Sequence, residues 1–176
     1  MNTSAIVLLL ALGLSTCRAG TTLQELRKAL NTEQRIWILQ RSFENEGTNG
    51  KHSCVYAHKK HLGEYDYQFD QYYKDGSIRK RHHLYGRLSE RNSNAVLTVS
   101  RTQGDEGIPY TLTYWDSNQH CGILTFTDKY GRQQCELHAW ESSIPPSVLP
   151  FPCEQEYQKY CGNHHKYPVY SVACRS

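Results

Sequence analysis

Glu136, His138 and Trp140 alternate along the stretch "QQCELHAW". On an extended strand their carboxylate, imidazole and indole share one face, and Cys135, Leu137 and Ala139 share the other. Such a trio is equipped to hold a ligand. The acid takes a cation or a hydrogen-bond donor, the imidazole exchanges a proton near neutrality, and the indole offers a flat apolar wall. Turnover is not expected: no Gly-x-Ser-x-Gly, phosphate-loop or dinucleotide motif occurs, and no pair of acids at hydrolase spacing can be inferred. Catalytic residues are therefore expected to be none.

Other polar clusters carry less chemistry. His58 and His61, three apart on a strand, face opposite sides, as do His82 and His83, and His164 and His165. With no Cys-x-x-Cys pair either, neither a metal nor a cofactor is expected. The run Arg79-Lys80-Arg81-His82-His83 reads as a charged strand surface that discourages edge pairing, or as a contact for a polyanion. The formal net charge of +3 gives no general attraction for nucleic acid.

The apolar run "AIVLLLALGL" followed by "STCRAG" reads as a signal peptide over residues 1–19, cleaved after Ala19, which makes the chain secreted. Of the seven cysteines, Cys17 goes with the leader, leaving Cys54, Cys121, Cys135, Cys153, Cys161 and Cys174. An even set in a secreted chain implies disulfides. No later stretch is long and apolar enough for a membrane span, and residues 20–176 fit one domain.

The elements that must position the trio follow from periodicity. Leu23, Leu26 and Leu30 in "TTLQELRKALNTE" lie on one face of a short helix. The period then becomes two: "RIWILQRSFEN", "KHSCVYAHKKHL", and "GEYDYQFDQYYKDGSIRKRHHLYG" with a hairpin signal at Asp75-Gly76. "AVLTVSR", "PYTLTYWD", "QHCGILTFTD" and "RQQCELHAWE" complete eight antiparallel strands. Prolines end the sheet, "CEQEYQKYCG" reads as a helix closed by Gly162, and "YPVYSVACRS" as a last extended piece. Eight hairpin-linked strands suggest an up-and-down barrel able to hold one small ligand, with a two-sheet sandwich as the alternative. Tyr65, Tyr67 and Phe69 suit a wall around a ligand or, equally, a packed core.

Cysteine geometry orients the last strand. On a helix, Cys153 and Cys161 lie about 12 Å apart along the axis, beyond the roughly 7 Å a disulfide spans between Cα atoms. They cannot pair with each other, so both reach back and staple the C-terminal helix to the outside of the strands. Cys135 then looks outward and Glu136, His138 and Trp140 inward; by the same logic Gly122, Leu124 and Phe126 look inward.

The order of helix, eight strands, C-terminal helix and six cysteines resembles the tick salivary lipocalins. The local pattern Cys121-Gly122-Ile123, twelve residues, Glu136-Leu137-His138, fourteen residues, Cys153 is similar to the motif of their histamine- and serotonin-binding members. Gly122 stands where that motif has an acid, and His138 where it has an aromatic ring. The resemblance is nearest to the japanin-like branch. It implies the lipocalin fold, an all-β, eight-stranded barrel, and the pairings Cys54–Cys174 and Cys121–Cys153, which leave Cys135–Cys161.

It also implies a monomer that binds a sterol-like ligand and modulates host dendritic cells, with a host immune-cell surface protein as partner. Scavenging of histamine or serotonin is the alternative. The two departures favour the uncharged ligand, because an amine cation needs acids in place of its lost hydration. The expected ligand-binding residues are Tyr65, Tyr67, Phe69, Tyr110, Leu112, Tyr114, Leu124, Phe126, Glu136, His138 and Trp140.

Overall fold

The computed structural model of the protein describes residues 20–162 and 165–175. The expected leader, Cys17 and His164 lie outside the described residues.

Helix α1 (Leu23–Leu30) starts at Thr22, whose hydroxyl accepts from the Glu25 backbone while the Glu25 carboxylate accepts from the Thr22 backbone. This reciprocal cap satisfies two of the helix's free N–H groups. Its apolar face buries Leu26 and Leu30. Eight strands follow: β1 (Ile36–Arg41), β2 (His52–Leu62), β3 (Asp66–Asp75), β4 (Ile78–Arg91), β5 (Asn94–Ser100), β6 (Ile108–Asp116), β7 (Cys121–Thr127) and β8 (Gln133–Trp140). Each of β2 to β7 pairs antiparallel with the next, and β1 closes the ring between β8 and β2 through Ile36↔Trp140 and Ile36↔Ala57. The barrel is the expected one, and the sandwich is excluded by that closure.

The chain ends outside the ring. Helix α2 (Glu154–Cys161) lies against the outer wall, and β9 (Tyr167–Pro168) pairs with the second half of β1. The C-terminal piece is less extended than its sequence implies. After β9 a 3₁₀ turn at Val172–Cys174 brings Cys174 to Cys54. The bridges are Cys54–Cys174, Cys121–Cys153 and Cys135–Cys161.

Alternation divides the apolar residues into two layers. Trp37, Leu39, Ile123 and Leu137 face outward and are covered by Phe151, Tyr157 and Tyr170 of the C-terminal region. Leu26, Leu30, Tyr67, Leu88, Leu97 and Leu112 form the inner layer, where α1 plugs one end of the barrel. Full burial of such side chains contributes roughly 1.5–3 kcal/mol each. Covering both faces of β7 and β8 is what makes their burial nearly continuous.

Candidate ligand-binding site

A cavity of about 440 Å³ opens at the barrel end opposite α1. Its wall carries Ile38, Val55, Tyr67, Phe69, Leu97, Val99, Tyr110, Leu124 and Phe126, with Glu44, Asp128, Lys129 and Arg132 supplied by the loops after β1 and β7. The rings form a connected set: Tyr67 stacks on Phe69 at 4.9 Å, and Phe126 meets Tyr110 at 4.8 Å and Phe43 at 5.4 Å.

The polar centre of this cavity is on β8 and β1. Glu136 Oε1 accepts from Arg41 Nε at 3.0 Å, and Glu136 Oε2 lies 3.0 Å from His138 Nε2. Burial alone would push the Glu136 carboxyl up, but the Arg41 guanidinium and the His138 ring more than offset it and hold it below its ordinary range. The carboxylate is therefore ionised at neutral pH, inside a wall of rings. Burial, and then the Glu136 charge, push the Tyr110 hydroxyl up, so it stays a protonated donor. Tyr67 is raised by burial, and its hydroxyl has no hydrogen-bond partner among the described residues.

The structure brings Tyr67, Phe69, Tyr110, Leu124, Phe126, Glu136 and His138 together around the cavity. Leu112 and Trp140 face inward but lie deeper, with Leu124 and His138 around a small space of about 40 Å³ beneath α1. There the Trp140 ring stacks on His120 at 4.1 Å and its indole N–H donates to the Ala29 carbonyl.

Two expected wall residues are corrected. Tyr65 is 55% exposed, because the β2–β3 turn runs through Gly63 and Asp66 and the strand alternation starts one residue after it. Tyr114 packs on Tyr160 outside the barrel, because a bulge between Leu112 and Tyr114 shifts the register of β6. The same bulge turns Trp115 inward, opposite Gly122. Arg41 was missed for the same reason. Strict alternation from Ile36 and Ile38 turns it outward, but a bulge between Ile38 and Gln40 brings it in opposite Glu136. Gln71 and Gln134 did have a signal, since each continues an inward series by one step.

A model of the tick histamine-binding protein family matches residues 18–176. The chain belongs to the tick histamine-binding protein family. Among solved structures, the serotonin complex of the protein AM182 superposes with a TM-score of 0.59 at 15% identity, covering 85% of this chain and 91% of that one. At that identity the likeness speaks for the shared barrel. No curated protein sequence matches the chain. Glu136, the acid in the sequence pattern likened above to the motif of this family, is in contact with Arg41 and His138. At Gly122 a side chain of any kind would be crowded. A Cβ there would sit 2.8 Å from the Tyr114 carbonyl oxygen and 3.1 Å from the Trp115 ring.

Proposed function

We propose that this protein binds a small aromatic amine of the histamine or serotonin class inside the barrel and sequesters it without turnover. The observation that carries this reading is the ionised, buried Glu136 in a cavity walled by Tyr67, Phe69, Tyr110 and Phe126. A carboxylate has acceptor capacity beyond its bonds to Arg41 and His138. Its attraction for an ammonium at 4 Å is about 4 kcal/mol at an effective dielectric near 20. Arg41 cancels part of that, so ring faces must add cation–π contacts of roughly 0.5–2 kcal/mol each. The cavity lies near the lower end of the ~300–1,000 Å³ range of ligand pockets, a size for a one- or two-ring molecule. Family membership and the serotonin complex of AM182 support the same ligand class. The three disulfides support action outside the cell.

A second reading, an uncharged sterol-like ligand with action on host dendritic cells, draws on the lost acid at Gly122 and the neutralising Arg41. Against it, Arg41, Gln71, Gln134, Glu136 and His138 all line the cavity, and hydrocarbon packed on them strips their remaining hydration. Titration calorimetry with histamine, serotonin and cholesterol separates the two. An amine is expected to bind in the micromolar range or tighter, and Glu136→Gln to weaken it at least about tenfold. Cholesterol binding with no amine heat would replace the amine reading by the sterol one.

A further inference from the structure

On the outer wall, away from the cavity, β1 to β4 and the C-terminal turn enclose a hollow of about 400 Å³. Six cationic side chains line it: Arg35, Lys74, Arg79, Lys80, Arg81 and Arg175. No acidic residue among the described residues does. The register concentrates the charge. Lys74 pairs with Arg79 and Tyr72 with Arg81, and Arg79 and Arg81 stand about 7 Å apart along β4.

Neutralisation of these cations is uneven. Lys80 holds the buried Asp75 at 2.6 Å, whereas Arg35–Glu141 at 3.5 Å and Arg81–Asp70 at 3.8 Å are loose pairs on exposed cationic side chains. Arg175 donates to the Tyr170 hydroxyl and to the carbonyls of Ile144, Pro145 and Pro146, which solvate the guanidinium without neutralising it.

The floor is aromatic. Trp37 meets Tyr56 at 4.7 Å, and Tyr56 stacks on Tyr72 at 4.8 Å. The Arg35 guanidinium lies 5.0 Å from the Tyr56 ring centre. The Trp37 ring is buried beneath these tyrosines and carries an indole N–H with no hydrogen-bond partner among the described residues.

Edge protection explains part of this. Residues 78–84 of β4 run past the pairing with β5, and charge there discourages a foreign strand. It does not explain why Arg35, Lys74 and Arg175 converge from three other segments around tyrosines. We propose that this hollow binds a sulfated polysaccharide. Guanidinium forks grip sulfate oxygens two at a time, tyrosine hydroxyls meet sugar hydroxyls, and aromatic edges pack on the C–H faces of the sugar rings. The site is concave and local, in a chain whose overall charge is nearly balanced, which suits an oligosaccharide better than a flat anionic membrane.

Titration calorimetry with a size-defined heparin oligosaccharide tests this on the parent, on Arg79→Gln/Arg81→Gln, and on the equal-charge control Arg87→Gln/Arg91→Gln. The parent is expected to bind at low salt and to weaken as salt rises. The first pair is expected to lose affinity about tenfold and the control less than about twofold. Should the Gln pair melt early, Arg79→Lys/Arg81→Lys keeps the charge and removes the forks, and a loss there supports the site as well. Equal losses in both Gln pairs would reduce the effect to net charge and overturn the proposal. So would no binding at low salt, or equal binding of polyglutamate or of phosphatidylserine vesicles.

Discussion

Arg41 and Glu136 face each other across β1 and β8, 3.0 Å apart, with 6% and 7% of their side-chain surfaces exposed. Neither charge is supportable alone at that depth, so each is the condition for the other. The pair also sets the cavity's electrostatics, because any cationic ligand must share the carboxylate with a resident guanidinium.

Arg41→Met therefore leaves a buried carboxylate without its strongest counter-charge. Urea unfolding is expected to show a loss of about 3–5 kcal/mol. The double variant Arg41→Met/Glu136→Leu is expected to recover most of it and to bind no amine. A double variant as unstable as the single one would show that Arg41 acts through packing, not charge.

Tyr67→Phe removes a buried hydroxyl that has no hydrogen-bond partner among the described residues. Stability is expected to stay level or rise by up to about 1 kcal/mol. If the hydroxyl serves the ligand, amine affinity falls severalfold in the same protein. Unchanged affinity would place the amine elsewhere in the cavity.

Acid should act through Asp75, Asp128 and Glu136. The Lys80 hydrogen bond, helped by Asn49 and opposed by burial, brings Asp75 from 3.8 to about 2. Burial opposes the donors at Asp128, yet the Arg132 and Tyr130 backbones and the Gln134 side chain also bring it to about 2. Both folded values lie below the unfolded ones, so the stability they contribute is complete above about pH 4 and disappears as pH falls towards 2. Glu136 has the same sign. Melting curves should show Asp75→Asn well below the parent at about pH 6, with the gap closing near pH 2. A gap that stays constant would assign the effect to lost hydrogen bonds alone.

The three bridges close loops of very different length, with sequence separations of 120, 32 and 26. Chain entropy gives each roughly 3–5 kcal/mol, with Cys54–Cys174 ahead by about 1 kcal/mol. Paired Cys→Ala variants in urea are expected to rank in that order. Recovery of Cys153 joined to Cys161 from unreduced peptides would contradict the connectivity.

What was legible in the sequence followed strict periods. The alternation through Glu136 and His138, read against the outward Cys135, placed both in the interior, and the rise of a helix was enough to separate Cys153 from Cys161. What was not legible sat where the period breaks. Arg41, Tyr114 and Trp115 lie just beyond bulges, and Tyr65 belongs to a turn whose alternation looks continuous with the strand after it. A bulge is set by how two strands meet, and one strand's residues do not record that meeting.

The extra residue in β6 works as a spacer. By exchanging Tyr114 for Trp115 on the inner face, it brings a large ring over Gly122, against the small space beneath α1. Which ring lies there is thus written in backbone length, not in side-chain choice. Substitutions along β6 can retexture the wall, but gaining or losing a residue near Thr113 would change which ring faces Gly122.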